Sequence, residues 1–336
     1  FSLGRNESFG KIRIVGDKLL VPVFRPTGQP VEMLPSKLVA FDRYSGESIW
    51  EAESKHGFPI VSVGNNKVFV YEGRMDGLYV GASEDRRRGK PVKQSEAVLK
   101  SIDLETGLVN WAQTWDYVST WITYSAKHDV LLTSNTDGID ALNGENGSRL
   151  WNKRSDGEGF LGHPENYWDK IIVWDDWIID QRGPGMSYDV KTGEAITRIN
   201  PITGKPADWK FTKIGHHCNY AIANPHLMTF RAASAGFCNV ETGETARLEG
   251  FRPGCRNSLI PACGVLNAPN FGYGCTCSYS LFTSLAMVHV PKDANFWTYS
   301  RFDEDITEVK RVGINFGAPG DRRDENGTMW LDYPNV

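Results

Sequence analysis

One pattern recurs along this chain and limits its fold more than any other feature: Ala-x-Asp-x-x-Thr-Gly-x-x-x-Trp. The fullest copy is AFDRYSGESIW, with Ala40, Asp42, Ser45, Gly46 and Trp50. SIDLETGLVNW keeps Asp103, Thr106, Gly107 and Trp111, and ALNGENGSRLW keeps Ala141, Asn143, Asn146, Gly147 and Trp151. In SYDVKTGEAIT the copy retains Asp189, Thr192 and Gly193, and in FCNVETGETAR it retains Asn239, Thr242 and Gly243; both have lost the terminal Trp. A short strand ends at the Asp or Asn, whose side chain can bond the backbone of the turn. The Gly takes a positive φ without steric cost. A second strand then returns toward the Trp, so each copy reads as a β-hairpin. Upstream of the copies lie strand–turn–strand runs such as PIVSVGNNKVFVYEG (59–73), STWITYSAKHDVLLTSN (119–135) and HHCNYAIANPHLMTFRA (216–232). The copies stand about 40 to 60 residues apart, the length of one four-stranded propeller blade.

The motif resembles the tryptophan-docking repeat of pyrroloquinoline-quinone-type β-propellers, a family that includes quinoprotein alcohol dehydrogenases and outer-membrane assembly lipoproteins. The resemblance runs over roughly residues 10–295. It implies an all-β fold, a propeller of four-stranded blades, with each motif Trp filling the gap between neighbouring blades. Five motifs and a sixth unit, with strands near 258–267 and 283–290, make six visible units. Because the chain starts at Phe1, the expectation is a ring of seven or eight blades in the full protein, its first blade or blades lying upstream. The domain expectation is a propeller over 1–295, then a linker and the start of a further β-rich module over 296–336. The Gly- and Pro-rich tail, with the stretch 251–290, resembles large exported bacterial proteins that carry such a propeller ahead of other β-rich modules. That implies an extracytoplasmic location (periplasmic, cell-surface or secreted) and partners among other domains of the same polypeptide or other exported proteins.

Composition narrows the partners. The chain of 336 residues has a formal charge of −4, which gives no basic footprint for nucleic acid. No apolar run approaches the ~20 residues of a membrane-spanning helix. The 11 Trp, 12 Tyr and 16 Phe beside 34 Gly suit an all-β chain rich in tight turns.

All six cysteines lie between Cys218 and Cys277. Such clustering points to local disulfides or a local metal site. The expectation pairs Cys238 with Cys263, in strands of neighbouring units, and leaves Cys218, Cys255, Cys275 and Cys277 to bond in an order the sequence does not fix. A soft-metal site on Cys275, Cys277 and Cys218 is the weaker alternative, since Cys-x-Cys lacks the usual structural-zinc spacing.

The residues where inner strands begin line the mouth of a propeller's channel. His216, His217 and Arg256 are the candidates there for acid–base or anion-holding roles, with Arg231 approaching from the next strand. Asn257 and Tyr220 are candidate ligand contacts. The expectation places any site mainly within 214–260. Trp121, Trp168, Trp174 and Trp177 stand outside the motif, and one or more could stack on a sugar; core packing is their other reading. Quinone catalysis is implied by the resemblance alone. In that family it requires a vicinal Cys-Cys pair, a calcium site and a catalytic aspartate. No adjacent cysteines occur here and no aspartate can be matched to the catalytic position, so no cofactor is expected. Three functional readings remain: a module binding or scaffolding a protein or carbohydrate, a carbohydrate-active enzyme working at the channel mouth, and a quinone- or metal-dependent oxidoreductase.

Overall fold

The motif turn is the unit from which the rest is assembled. In the computed structural model of the chain, which describes residues 8–9, 11–24, 36–54, 58–73, 97–115, 119, 121–135, 138–154, 170–181, 185–199, 203–211, 220–240, 245–248, 251, 253, 259–269, 284–288, 312–316, 322–326 and 328–333, four of the five motif turns are visible in full. Asp42 Oδ1 accepts the backbone N–H of Tyr44 at 2.9 Å and of Ser45 at 2.7 Å. Asp103 does the same for Glu105 and Thr106, Asn143 for Glu145 and Asn146, and Asp189 for Lys191 and Thr192. Those backbone N–H groups hold the Asp42 and Asp103 carboxyls below the usual aspartate range. The glycine that ends each turn is left-handed, with φ of 74° at Gly46 and 77° at Gly147.

Each turn is also the seat for the preceding blade's tryptophan. Trp50 Nε1 donates to the Leu104 carbonyl at 2.9 Å, Trp111 to Gly144 at 3.0 Å and Trp151 to Val190 at 2.9 Å. The indoles lie flat against the motif glycines: a Cβ on Gly107 would sit 2.7 Å from Trp50 Cγ, and one on Gly147 would sit 2.9 Å from Trp111 Cε3. Glycine is therefore required twice here, for the positive φ and for the approach of the ring. Trp50 is buried, whereas Trp111 and Trp151 are partly buried.

Among the described residues every regular element is a strand. Blade one comprises Arg13–Val15, Lys18–Phe24, Ser36–Asp42 and Ser48–Ser54, with the short strand Ser8–Phe9 continuing its inner edge. Blade two runs Phe58–Gly64, Lys67–Gly73, Ala97–Asp103, Val109–Trp115, and blade three runs Trp121–Ser125, Val130–Asn135, Gly138–Asn143, Arg149–Arg154. Blade five runs Ile222–Ala223, Leu227–Ala232, Ser234–Asn239, Thr245–Leu248. All of these sheets are antiparallel, in sequence order. The sixth unit begins with the hairpin Ile260–Ala262 and Val265–Ala268, followed by the strand Leu285–Val288. The structure thus has the propeller fold of four-stranded blades that the motif leads one to expect.

Blade four departs from the pattern. Its strands Ile171–Trp174, Trp177–Asp180 and Ser187–Asp189 are completed by two isolated bridges, Tyr188 to Ala195 and Met186 to Lys210, on either side of a hairpin, Thr197–Ile199 with Pro206–Asp208. The hairpin returns the chain so that Trp209 N bonds the Ile196 carbonyl and Phe211 N bonds Gly185. Trp209 is wholly buried between blades four and five, the interface whose motif tryptophan the sequence had lost.

Alternate strand residues bury against the neighbouring blade on either side, which is how a half-buried strand periodicity becomes a two-sided core. Leu20, Leu38 and Trp50 meet Val68 and Ile102 between blades one and two. Phe69, Tyr71 and Leu99 meet Ile122, Leu131 and Leu142 between two and three. Leu132 and Ile139 meet Ile171 and Ile178 between three and four. On the motif-turn face, ion pairs join the blades: Lys18 to Glu105 at 2.7 Å, Lys67 to Glu145 at 2.6 Å, and Lys127 to Asp175 at 2.7 Å.

Contacts divide the chain into two compact units, Phe1–Ala286 and Met287–Val336. In the second, Val312–Phe316 pairs parallel with Met329–Tyr333, which also pairs antiparallel with Arg322–Arg323. Trp330 Nε1 donates to Asp324 Oδ2 at 3.0 Å, closing the turn between these last two strands.

Candidate functional site

The two faces of the blades are built differently. On one lie the tight turns between the first and second strands and the motif turns. On the other lie the crossovers into each next blade. The inner strands begin on this second face, and those of blades two to five are neighbours in sequence order.

Three crossovers are pinned at their ends by a side chain from the preceding blade. The Tyr71 hydroxyl bonds the backbone of Ser119, ahead of the inner strand of blade three, and burial pushes the tyrosine up to about 12. Gln181, 3% exposed, holds the start of blade five from both sides: its Oε1 accepts Ala221 N–H at 2.6 Å and its Nε2 donates to the Ala221 carbonyl at 3.1 Å. Thr229 Oγ1 donates to the Leu259 carbonyl, at the start of the sixth unit, at 2.6 Å. Such bonds fix where the first residue of an inner strand can point.

Three of those first residues meet. Trp121 opens the inner strand of blade three, Lys170 immediately precedes that of blade four, and Tyr220 precedes that of blade five. The Trp121 and Tyr220 rings are 6.1 Å apart at their centroids and inclined by 46°. Lys170 Nζ lies 4.8 Å from the Trp121 centroid and 5.5 Å from that of Tyr220, cation–π distances for both rings. Blades three and five are not neighbours, so side chains from them can touch only where the intervening blade is narrowest, at the axis. The cluster therefore marks the mouth of the channel. All three side chains are partly exposed.

Of the residues the sequence singled out, Tyr220 is at this mouth and Trp121 joins it. Trp174 and Trp177 do not: they pack edge-to-face at 5.0 Å, Trp177 continues to Trp209 at 6.3 Å, and Trp174 Nε1 donates to the Pro225 carbonyl. They are core. Arg231 is in the second strand of blade five and 1% exposed. It shares the strand face of Thr229, opposite Phe230, which packs toward blade four. At that exposure its side chain is buried. His216, His217, Cys218, Cys255, Arg256, Asn257, Cys275, Cys277 and Trp168 lie outside the described residues.

The expected Cys238–Cys263 bridge is not formed; both thiols are free. Cys238 is fully buried in the third strand of blade five, where burial pushes its thiol up. Cys263 is exposed and sits not in a strand but at the tip of the hairpin between Ile260–Ala262 and Val265–Ala268, with φ of 51°. Reading 258–267 as one continuous strand hid that turn.

Lys170 is the member of the cluster that the sequence reading missed. Its signal was positional: it stands one residue before a strand equivalent to those that follow Tyr220. Among the described residues no three His, Cys, Asp or Glu side chains gather closely enough to hold a metal ion. The adjacent cysteines of a quinone site of the family type are lacking in the sequence, and none of the three described side chains that converge at the mouth is a carboxylate. Among the described residues no helix is long and apolar enough to cross a membrane.

No family model and no curated protein sequence matches the chain. Solved structures resemble it at low identity. BamB from Moraxella catarrhalis is 14% identical, with 75% of this chain and 65% of that chain covered and a TM-score of 0.42. The quinohemoprotein alcohol dehydrogenase ADHIIG from Pseudomonas putida is 15% identical over 68% of this chain and 43% of its own, with a TM-score of 0.35. The β-propeller domain of the Trilobed protease from Pyrococcus furiosus is 9% identical over 78% of each chain, with a TM-score of 0.47. The chain thus spans less than two thirds of the first two. What the chain itself displays, in its strand order, its register and its docked tryptophans, is a β-propeller of four-stranded blades.

Proposed function

We propose that this chain is a non-catalytic binding module, an extracytoplasmic propeller within a larger protein, that engages a carbohydrate or protein partner at the crossover face. The single observation that supports this reading is the convergence of Trp121, Lys170 and Tyr220 from three successive blades on the channel mouth. Aromatic rings offer large contact area at little entropic cost, and a cation beside them selects among the ligands that fit. Ligand sites favour concave places where several elements present side chains to one molecule. The motif-turn face contrasts with it: there the polar groups are consumed by the turns and by ion pairs between blades.

The test is binding of the full chain to an immobilised glycan panel, with product analysis by mass spectrometry. Trp121→Ala and Tyr220→Ala should each weaken the bound glycan about tenfold or more, the scale of a lost aromatic anchor. Tyr44→Ala, on the motif-turn face and 81% exposed, should change nothing. Glycan recovered unaltered fits a binding module; glycan cleaved or oxidised would make the chain an enzyme and turn attention to His216 and His217. Binding lost on Tyr44→Ala alone would contradict the choice of face.

A further inference from the structure

Blades two to five each turn an apolar row toward the blade before them. In blade two Val63 pairs with Val68 and Val68 with Ile102, and this row packs with Leu20, Leu38 and Trp50 of blade one. Val61, two residues before Val63 on the inner strand, is buried in the same contact. The registers place Ile122, Ile171 and Ala221 at the position of Val61 in blades three, four and five. These four residues are between 1% and 5% exposed, each clustered with residues of the preceding blade. Blade one carries the same row: Ile14 pairs with Leu19 and Leu19 with Phe41, and Ile12, two residues before Ile14, stands where Val61 does. Here the inner strand is bare, with Ile12 40% exposed and Ile14 63%. Farther across the same face Val21, Val23 and Val39 are buried, so the opening lies at the inner strand. An isolated exposed apolar residue is ordinary. Two of them, on the face that blades two to five bury against a neighbour, mark a contact surface.

We infer that this face of blade one docks a further four-stranded blade of the same repeat, supplied by the same polypeptide outside residues 1–336. The surface continues a series of four interfaces, so the unit that fits it is the unit that fills the other four. The motif turn of blade one is built to the same plan as the turns that seat Trp50, Trp111 and Trp151: Asp42 accepts two backbone N–H groups and Gly46 has a φ of 74°. A blade ending in its own motif tryptophan matches such a turn. A second copy of this chain matches it poorly, because its three motif tryptophans are already seated on Gly107, Gly147 and Gly193. A single blade free in solution would leave both of its own faces bare, since a repeat cannot bury its apolar surface alone. The unit therefore comes joined to the rest of the propeller. This inference concerns the interface and is independent of what binds at the channel mouth.

The experiment compares residues 1–336 with the polypeptide expressed from its complete natural reading frame. Ile14→Cys and, as a control, Val61→Cys are introduced separately into each, and maleimide labelling is read at that peptide by mass spectrometry. In residues 1–336 the thiol placed by Ile14→Cys should label about tenfold faster than the one placed by Val61→Cys, in line with exposures of 63% and 5%. In the longer polypeptide the two should label equally slowly. Ile14→Asp should lower the melting temperature of the longer polypeptide and leave that of residues 1–336 unchanged, as a surface substitution does. If the longer polypeptide fails to fold with Ile14→Asp, Ile14→Thr takes its place. Equally fast labelling of the Ile14→Cys thiol in both would overturn the inference, as would a longer polypeptide indifferent to the substitution. Labelling in residues 1–336 that slows as protein concentration rises would overturn it in favour of a second copy. A natural reading frame that encodes no further repeat would overturn it outright.

Discussion

Gly147 shows how closely a repeat can be read at the scale of one residue. Its φ of 77° and the 2.9 Å separation of a notional Cβ from the Trp111 ring are two independent demands, and only glycine meets both. The sequence suggested the first through the turn; the second appears only where the ring of the neighbouring blade lies on the glycine. Asp42, Asp103 and Asn143 occupy the same place and make the same pair of backbone bonds, but only the two aspartates titrate. Their carboxyls are depressed in the folded chain, so the stability they contribute is present above the unfolded value and is lost as pH falls through the folded one. In an NMR titration the Ser45 and Thr106 amides should therefore move with midpoints below the 3.8 of an unperturbed aspartate, while the Asn146 amide stays still. Midpoints at or above that value would mean that the turns are not closed by their carboxylates. The cysteines were less legible, because pairing depends on where two Cβ atoms come to lie and not on how near they are in sequence. A thiol reagent should modify Cys263 in the native chain and Cys238 only after unfolding, as expected for one exposed and one buried thiol. Protection of both in the unreduced, denatured chain would restore the bridge.

Blades two and three, both of which keep the motif Trp, could be drawn from the sequence almost strand for strand. The run 59–73 became Phe58–Gly64 and Lys67–Gly73, and 119–135 became Trp121–Ser125 and Val130–Asn135. Blade four could not. Its motif lacks the Trp, and nothing local says that a residue 12 positions beyond Thr197 will take the vacant place. The hairpin that carries Trp209 back is a tertiary solution, legible only once Ile196, Trp209 and Phe211 are seen to share one edge. Its indole nitrogen, unlike those of Trp50, Trp111 and Trp151, finds no partner among the described residues, so packing alone holds it. Trp209→Ala should cost about 3–5 kcal/mol in chemical denaturation, as removal of a large buried aromatic does, although the residue lies outside every motif copy. A cost under about 1 kcal/mol would mark it as peripheral and leave blades four and five without the wedge that joins the others.

For the whole molecule, fold and site differ in how they are written. The fold is periodic, so five imperfect copies reinforce one another and the architecture survives the decay of any one. The mouth is aperiodic: Trp121, Lys170 and Tyr220 hold equivalent positions but are three different residues, and a search for repetition passes over them. What gathers them is the geometry of an axis, where blades three and five approach across blade four. Of these three residues the sequence singled out Tyr220 as a ligand contact and Trp121 as a ring able to stack on a sugar, and it passed over Lys170; His216, His217 and Arg256 lie outside the described residues. We place recognition on this face. Hydroxyl-radical footprinting of the full chain, with and without its bound glycan, reads both faces at once through Trp121 and Tyr220 on one and Tyr44 on the other. Binding should protect Trp121 and Tyr220 and leave Tyr44 oxidised as before; protection of Tyr44 with Trp121 and Tyr220 unchanged would place recognition on the opposite face.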